Sequence, residues 1–173
     1  MSAELLVWLG GAIAVGTALA GWPVAADTAP RRWPSMVGLG GLIVGLLLVG
    51  VVSGTIVRHV VQVAPAALAL ALVARHASSG RAAALPILIF WMVVMLTIWR
   101  YLLGMTRIIG GHFTTTEILL TVAIALACAI GLAGGARPTA NLAPSRRALA
   151  AFAFGLLQFA AMWVSALPSV SGR

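Results

Sequence analysis

Acidic residues are scarce in this chain, with only Glu4, Asp27 and Glu117 among 173 residues. A hydrolase-like site with paired carboxylates for acid/base catalysis is therefore not expected. The sequence also has no Walker loop and no G-x-S-x-G, C-x-x-C or H-E-x-x-H motif, which removes the usual signatures of kinases, esterases, thiol oxidoreductases and zinc proteases. The single cysteine, Cys128, lies in the apolar run LTVAIALACAIGL. Because the chain has only one cysteine, it cannot form an internal disulfide.

Charged residues of either sign make up only 8% of the chain, whereas 62% of its residues are apolar and the mean hydropathy is +1.10. A soluble domain carries about 25% charged residues, so a lipid bilayer must solvate most of this surface. The net charge of +8 comes from arginines scattered singly or in pairs between apolar runs. This placement is typical of membrane loops near anionic lipid head groups, and it argues against a nucleic-acid partner.

Six apolar runs predict an all-α bundle of about six transmembrane helices with short loops, a single membrane domain over residues 1–173. The predicted spans are residues 5–26, 35–57, 59–74, 83–104, 115–134 and 148–168. One helix over residues 35–74 would be about 60 Å long, twice the hydrocarbon thickness. A turn is therefore expected between Ser53 and His59. The alternative is five spans, with one spanning helix and a re-entrant piece in this region.

The N-terminal run is interpreted as a retained helix rather than a signal peptide, because Glu4 replaces the expected positive charge and Trp8 and Trp22 bracket the run. The loop arginines then predict the orientation. One side would receive seven arginines and the other four, and the richer side should be cytoplasmic. Both termini are thus predicted outside, in what we interpret as a bacterial inner membrane. The seven are Arg31, Arg32, Arg75, Arg81, Arg137, Arg146 and Arg147; the four are Arg58, Arg100, Arg107 and Arg173.

Two G-x-x-x-G pairs lie in the second span, Gly41 with Gly45 and Gly50 with Gly54. Small residues four apart let helix backbones approach closely. They predict helix packing within the chain, or alternatively association with a second copy or with other membrane subunits.

A compact polar group interrupts the apolar sequence at the start of the third span. Gln62 follows His59 by three residues, which predicts a shared helix face, and Pro65 deprives the Val61 carbonyl of its usual helical donor. These features, with neighbours on the same predicted side, define a candidate pocket. Its alternative is an interhelical hydrogen bond with a kink, and Gln158 in the sixth span is likewise expected to bond to another helix. The pocket residues are Arg58, His59, Gln62, Arg100, Tyr101, His112 and Glu117.

Glu117 also has a structural interpretation, because FTTTEI places Thr114 three residues before it. This spacing predicts a capping box at the start of the fifth span.

The resulting hypothesis is a non-enzymatic membrane protein, a small transporter-like or accessory subunit of a membrane complex. The alternative is a redox subunit that binds haem b or quinone near His59 and His112, since haem iron takes axial histidine. A membrane-bound enzyme that acts on lipid is the third hypothesis.

Overall fold

The computed structural model describes residues 32–75, 78–106, 112–135 and 142–171, and all regular structure in these ranges is helical. The predicted first span, residues 5–26, lies outside the described residues. The described helices are α1 (Trp33–Val52), α2 (Ile56–Ala74), α3 (Ser78–Leu102), α4 (Thr115–Gly135), α5 (Pro144–Ser165) and the short α6 (Pro168–Ser171).

Five of these helices, α1 to α5, are long and apolar enough to cross a membrane. They correspond in order to the five spans predicted after residue 35, so the helical-bundle fold class is confirmed. Four of them begin earlier than the predicted spans: α1 starts at Trp33, α2 at Ile56, α3 at Ser78 and α5 at Pro144. The reason is that a helix can begin with a polar or proline-containing first turn, where backbone N–H groups have no intrahelical acceptor in any case.

The division of residues 35–74 into two helices is confirmed, and the turn occupies Ser53 to Thr55. Gly54 has a φ of 67°. The Thr55 N–H donates to Gly50 O (2.8 Å) and the Gly54 N–H to Val51 O (3.2 Å). This is the Schellman pattern, which needs a left-handed residue and therefore favours glycine. Because α2 begins at Ile56, the pair Arg58–His59 lies in its first turn and not in the connection.

Helices α1 to α4 form a ring in which each packs against the next and α4 closes onto α1, while α5 packs outside the ring against α2 and α3. The buried core runs between them through Leu39, Leu42, Ile87, Leu88 and Ile124. Large apolar side chains remain exposed around the circumference, as lipid-facing positions require, including Val44, Leu126, Phe152 and Phe159. We call the end of the bundle that carries the Ser53–Thr55 turn the turn end; α3 and α5 also finish there.

Candidate functional site

A chain of hydrogen bonds joins α2 to α5 inside the bundle. Gln62 Nε2 donates to Ser165 Oγ at 2.9 Å and lies 3.4 Å from Met162 Sδ. Ser165 Oγ donates in turn to the Met162 carbonyl at 2.7 Å. Gln158 Nε2 donates back across the interface to the Gln62 carbonyl at 3.3 Å. The prediction that Gln158 bonds to another helix is therefore confirmed.

These polar residues are enclosed by protein, since Gln62 is 2% exposed and both Gln158 and Ser165 are 0% exposed. An unpaired polar group at this position would cost several kcal/mol in a hydrocarbon environment, which favours keeping the hydrogen bonds formed. Gln62 lies about 9 Å along the axis from the start of α2 at 1.5 Å per residue. Gln62 and Gln158 therefore lie inside helices that are long and apolar enough to cross a membrane.

The buried side-chain atoms without a hydrogen-bond partner among the described residues include Gln158 Oε1 and Trp91 Nε1. Trp91 is on α3 and only 3% exposed. No sequence pattern indicates the unpartnered indole, because a tryptophan at helical spacing normally indicates packing or lipid contact.

His59 contacts a different neighbour from Gln62. A Cβ placed on Gly50 would lie 3.0 Å from His59 Cβ and 3.1 Å from its Cγ and Nδ1, so the imidazole fills the space that the glycine leaves on α1. Gln62 meets α5 instead. His59 and Gln62, three residues apart, therefore lie on adjacent stripes of α2, but each side chain contacts a different neighbouring helix.

The hydrogen bonds around the turn assign the tautomer of His59. Ser53 Oγ donates to the Val49 carbonyl (2.7 Å), so the hydroxyl of Thr55 must donate to Ser53 Oγ (2.6 Å). Thr55 Oγ1 and the Thr55 carbonyl can then only accept from His59 Nδ1, at 3.2 Å and 3.0 Å. The proton of the neutral imidazole is therefore on Nδ1, and its Nε2 carries the lone pair.

Glu117 forms the predicted capping box. The Thr114 N–H donates to Glu117 Oε2 at 2.8 Å, and the Glu117 N–H donates to Thr114 Oγ1 at 3.2 Å. The Thr114 hydroxyl adds a bond to the same carboxylate oxygen at 2.9 Å. This confirms the capping prediction and accounts for the carboxylate through its own helix terminus.

The remaining candidates lie near the turn end, apart from the α2–α5 network. Arg100 is exposed in the last turn of α3, and Tyr101 packs its ring against Phe113 with centroids 6.1 Å apart. His112 is exposed just before α4. No ion pair between Arg100 and Glu117 is found in the described part of the chain.

The seven predicted pocket residues are thus distributed over several contacts. Gln62 lies between α2 and α5, His59 lies in the α1–α2 hairpin, and Glu117 caps α4. Arg58 shares the first turn of α2, half-buried, with an Nε that has no partner in the described structure. His59 on α2 and His112 before α4 belong to diagonal helices of the ring.

The glycines of α1 meet α4 at very short range. A Cβ on Gly41 would lie 2.8 Å from Ala127 Cβ, and one on Gly45 would lie 2.5 Å from Ile124 Cγ1. Gly54 serves the turn instead, with nothing within 4 Å of its Cβ position. The closest approach of α1 to backbone atoms of α4 is at Gly38, whose Cβ position would lie 2.5 Å from Gly131 Cα and which is not part of either G-x-x-x-G pair. The sequence signal for this contact is the spacing of Gly38, Gly41 and Gly45, which places the three glycines on one face of α1. That face packs against small residues on α4.

Comparison with protein-family models, with curated proteins and with solved structures finds no match for this chain. In the described ranges, no group of three or more histidine, cysteine or acidic side chains is placed to hold a metal ion.

Proposed function

We propose that this protein is a small transporter-like or accessory membrane subunit and not a membrane enzyme. The observation that supports this most is the buried hydrogen-bond network between α2 and α5, built from Gln62, Gln158 and Ser165. Polar residues are expensive inside a membrane and often mark a route or a binding site for a solute.

The arrangement of the helices adds a second argument. α1 and α4 are joined by backbone-close glycine contacts, which leave little freedom to slide. α5 lies outside the four-helix ring and contacts it through α2 and α3. Its contact with α3 at Gly155 is looser, since a Cβ there would meet Pro86 Cβ at an ordinary 3.6 Å. A peripheral helix held by exchangeable hydrogen bonds is the element most suited to move against a fixed ring.

The connections between the described helices also favour a subunit over an enzyme. From α1 to α5 they range from three residues between α1 and α2 to twelve between α3 and α4, too short for an extramembrane catalytic domain. The one carboxylate of the described ranges, Glu117, is engaged by its helix cap.

Reconstitution separates the two forms of this proposal. The purified chain in liposomes is tested for permeation of glycerol and urea by stopped-flow light scattering, against protein-free liposomes. Ser165→Ala, which removes the acceptor of Gln62, is compared with Thr97→Val, which removes a hydroxyl bonded only to its own helix (Thr97 Oγ1 to Val93 O, 2.8 Å).

A transporter-like protein gives flux that Ser165→Ala changes and Thr97→Val does not. An accessory subunit gives no flux alone but is recovered from mild-detergent extracts in fixed stoichiometry with a membrane partner. If the protein shows no flux and no stoichiometric partner is recovered, the proposal is contradicted.

The proposal includes an inner-membrane location with the turn end outside, as the arginine distribution favours. In a Cys128→Ala background, Ser53→Cys at the turn end and Arg75→Cys at the other end are exposed positions. A membrane-impermeant maleimide applied to intact cells should label Ser53→Cys and spare Arg75→Cys. The reverse pattern would invert the assigned topology.

A further inference from the structure

The geometry points to a binding site for one uncharged polar group, an alcohol or a primary amide, between Trp91 Nε1 and Gln158 Oε1 at the junction of α2, α3 and α5. It rests on the transporter-like function proposed above and names the class of molecule that would be handled there. Its basis is a buried donor and a buried acceptor, both unpartnered in the described structure, in one layer of the bundle.

The layer is fixed by the packing of α3 against its two neighbours. A Cβ on Gly80 would lie 2.6 Å from Val73 N. The same number of residues separates Gly80 from Trp91 on α3 and Val73 from Gln62 on α2. Because these two helices are antiparallel, Trp91 and Gln62 lie at the same height along the bundle. Trp91 is therefore level with the residue whose carbonyl holds the Gln158 side chain.

α5 gives the same level independently. Gly155 faces Pro86, and the rings of Phe159 and Phe90 meet edge-on at 5.2 Å. The two residues of each pair differ by the same residue number, so α3 and α5 run parallel. Trp91, the residue after Phe90, is therefore level with the residue after Phe159. Gln158 is then about 3 Å from that level along the axis. Phe90 also contacts the Trp91 ring at 5.6 Å, which links the indole to this part of α5.

The orientation of the Gln158 amide follows from its partner. The Gln62 carbonyl can only accept a hydrogen bond, so the atom that faces it must be the amide nitrogen, Nε2. The amide oxygen is thereby directed away from that carbonyl and stays without a donor. Trp91 has the opposite need, because its indole N–H can only donate.

One donor and one acceptor select the chemistry of the occupant. A hydroxyl or a primary amide accepts from Trp91 and donates to Gln158 with the same functional group. A carboxylate has no proton to donate, and an ammonium cannot accept. A charged ligand would also lack a counter-ion in this layer, where the described side chains are neutral, and burying an unpaired charge is costly. The carbonyl of Val61, freed by Pro65, lies one residue from Gln62 and supplies another acceptor on α2.

Such a group can belong to a water-soluble molecule or to the head of an apolar lipid. Acetamide and glycerol are probes of the first source, and dioleoylglycerol is a probe of the second. N,N-dimethylacetamide, which accepts but cannot donate, is the matched control for acetamide.

The test is the indole N–H signal of Trp91 in nuclear magnetic resonance spectra of the ¹⁵N-tryptophan-labelled full chain in lipid nanodiscs, assigned with Trp91→Phe. Trp99 is an internal control, because its Nε1 already donates to Thr121 Oγ1 at 2.9 Å. The expected result is a saturable shift of the Trp91 signal with acetamide and glycerol, or with dioleoylglycerol, while Trp99 stays in place. Dimethylacetamide should bind to the unaltered protein at least about tenfold more weakly than acetamide does, and acetamide should bind to the Gln158→Leu variant at least about tenfold more weakly than to the unaltered protein.

No saturable shift with any probe overturns the site, as does an equal shift in Gln158→Leu. A Trp91 signal that exchanges with water and responds to nothing else identifies a structural water and also overturns it. Binding without flux in liposomes would keep the site and contradict transport. Flux without a Trp91 shift would keep transport and contradict the site.

Discussion

Replacing Gly38 by alanine should separate α1 from α4. The added methyl would lie 2.5 Å from Gly131 Cα, 2.9 Å from Gly131 N and 3.0 Å from the Ala127 carbonyl oxygen. All three are backbone atoms, so no side chain can rotate away to make room. The helices themselves must move apart.

The size of the effect follows from these distances. Carbon atoms pack best at about 3.5–4.0 Å, so the helices must separate by roughly 1 Å here, which forfeits up to half of the dispersion energy of the affected contacts. Overpacking of this kind costs about 1–3 kcal/mol. Alanine also gains up to about 1 kcal/mol over glycine in helix propensity, and this gain offsets part of the cost.

Gly40→Ala is the matched control, because it lies on the same helix with nothing within 4 Å of its Cβ position. It carries the same propensity gain without the clash. The propensity gain cancels between the two variants, so we expect their free energies of unfolding to differ by the overpacking cost of about 1–3 kcal/mol, roughly 5- to 140-fold in the unfolding constant. Circular dichroism during reversible unfolding in mixed micelles with increasing dodecyl sulfate measures this difference. Equal stabilities would refute the assigned α1–α4 contact.

Three further outcomes follow from the hydrogen bonds. Ser165→Ala should lower the free energy of unfolding by about 1 kcal/mol, because Gln62 loses its acceptor; a change as small as that of Thr97→Val would contradict the network. Glu117→Gln should keep the stability of the wild type, since glutamine also closes a capping box, whereas Glu117→Ala should cost about 1 kcal/mol in the same assay. For His59, ¹⁵N shifts of the neutral ring should show the proton on Nδ1, and a proton on Nε2 would show that the Ser53–Thr55 chain is not formed.

The membrane-spanning helices were largely predictable from the sequence because their signal is local. A run of about 20 apolar residues has few options other than a helix in lipid. Even the turn between α1 and α2 was predictable, since a 40-residue helix exceeds the bilayer and Gly54 provides the left-handed residue that ends it. The capping box at Thr114 and Glu117 is equally local, spanning a single helical turn.

The candidate pocket was much less predictable, because it depends on which helices are neighbours. Spacing on α2 suggested that His59 and Gln62 would face one pocket, but a ring of helices presents different partners to adjacent stripes. His59 therefore fills the gap at Gly50 on α1, while Gln62 bonds Ser165 on α5. The distance in sequence between Gln62 and Ser165 carries no information about that contact.

The sequence by itself determined that this chain needs a bilayer, and it determined which residues form the helices. It also determined that glycine ends the helix at the Ser53–Thr55 turn and that the Glu117 carboxylate caps the start of α4. These properties depend on residues within one or two helical turns of each other, or on length measured against a fixed hydrocarbon thickness. Only the tertiary structure decided that Gly38 closes α1 onto α4 and that the buried side chains of Gln158 and Trp91 each keep an unpartnered atom among the described residues. Those facts depend on the register between helices, which is set by side-chain packing over the whole bundle.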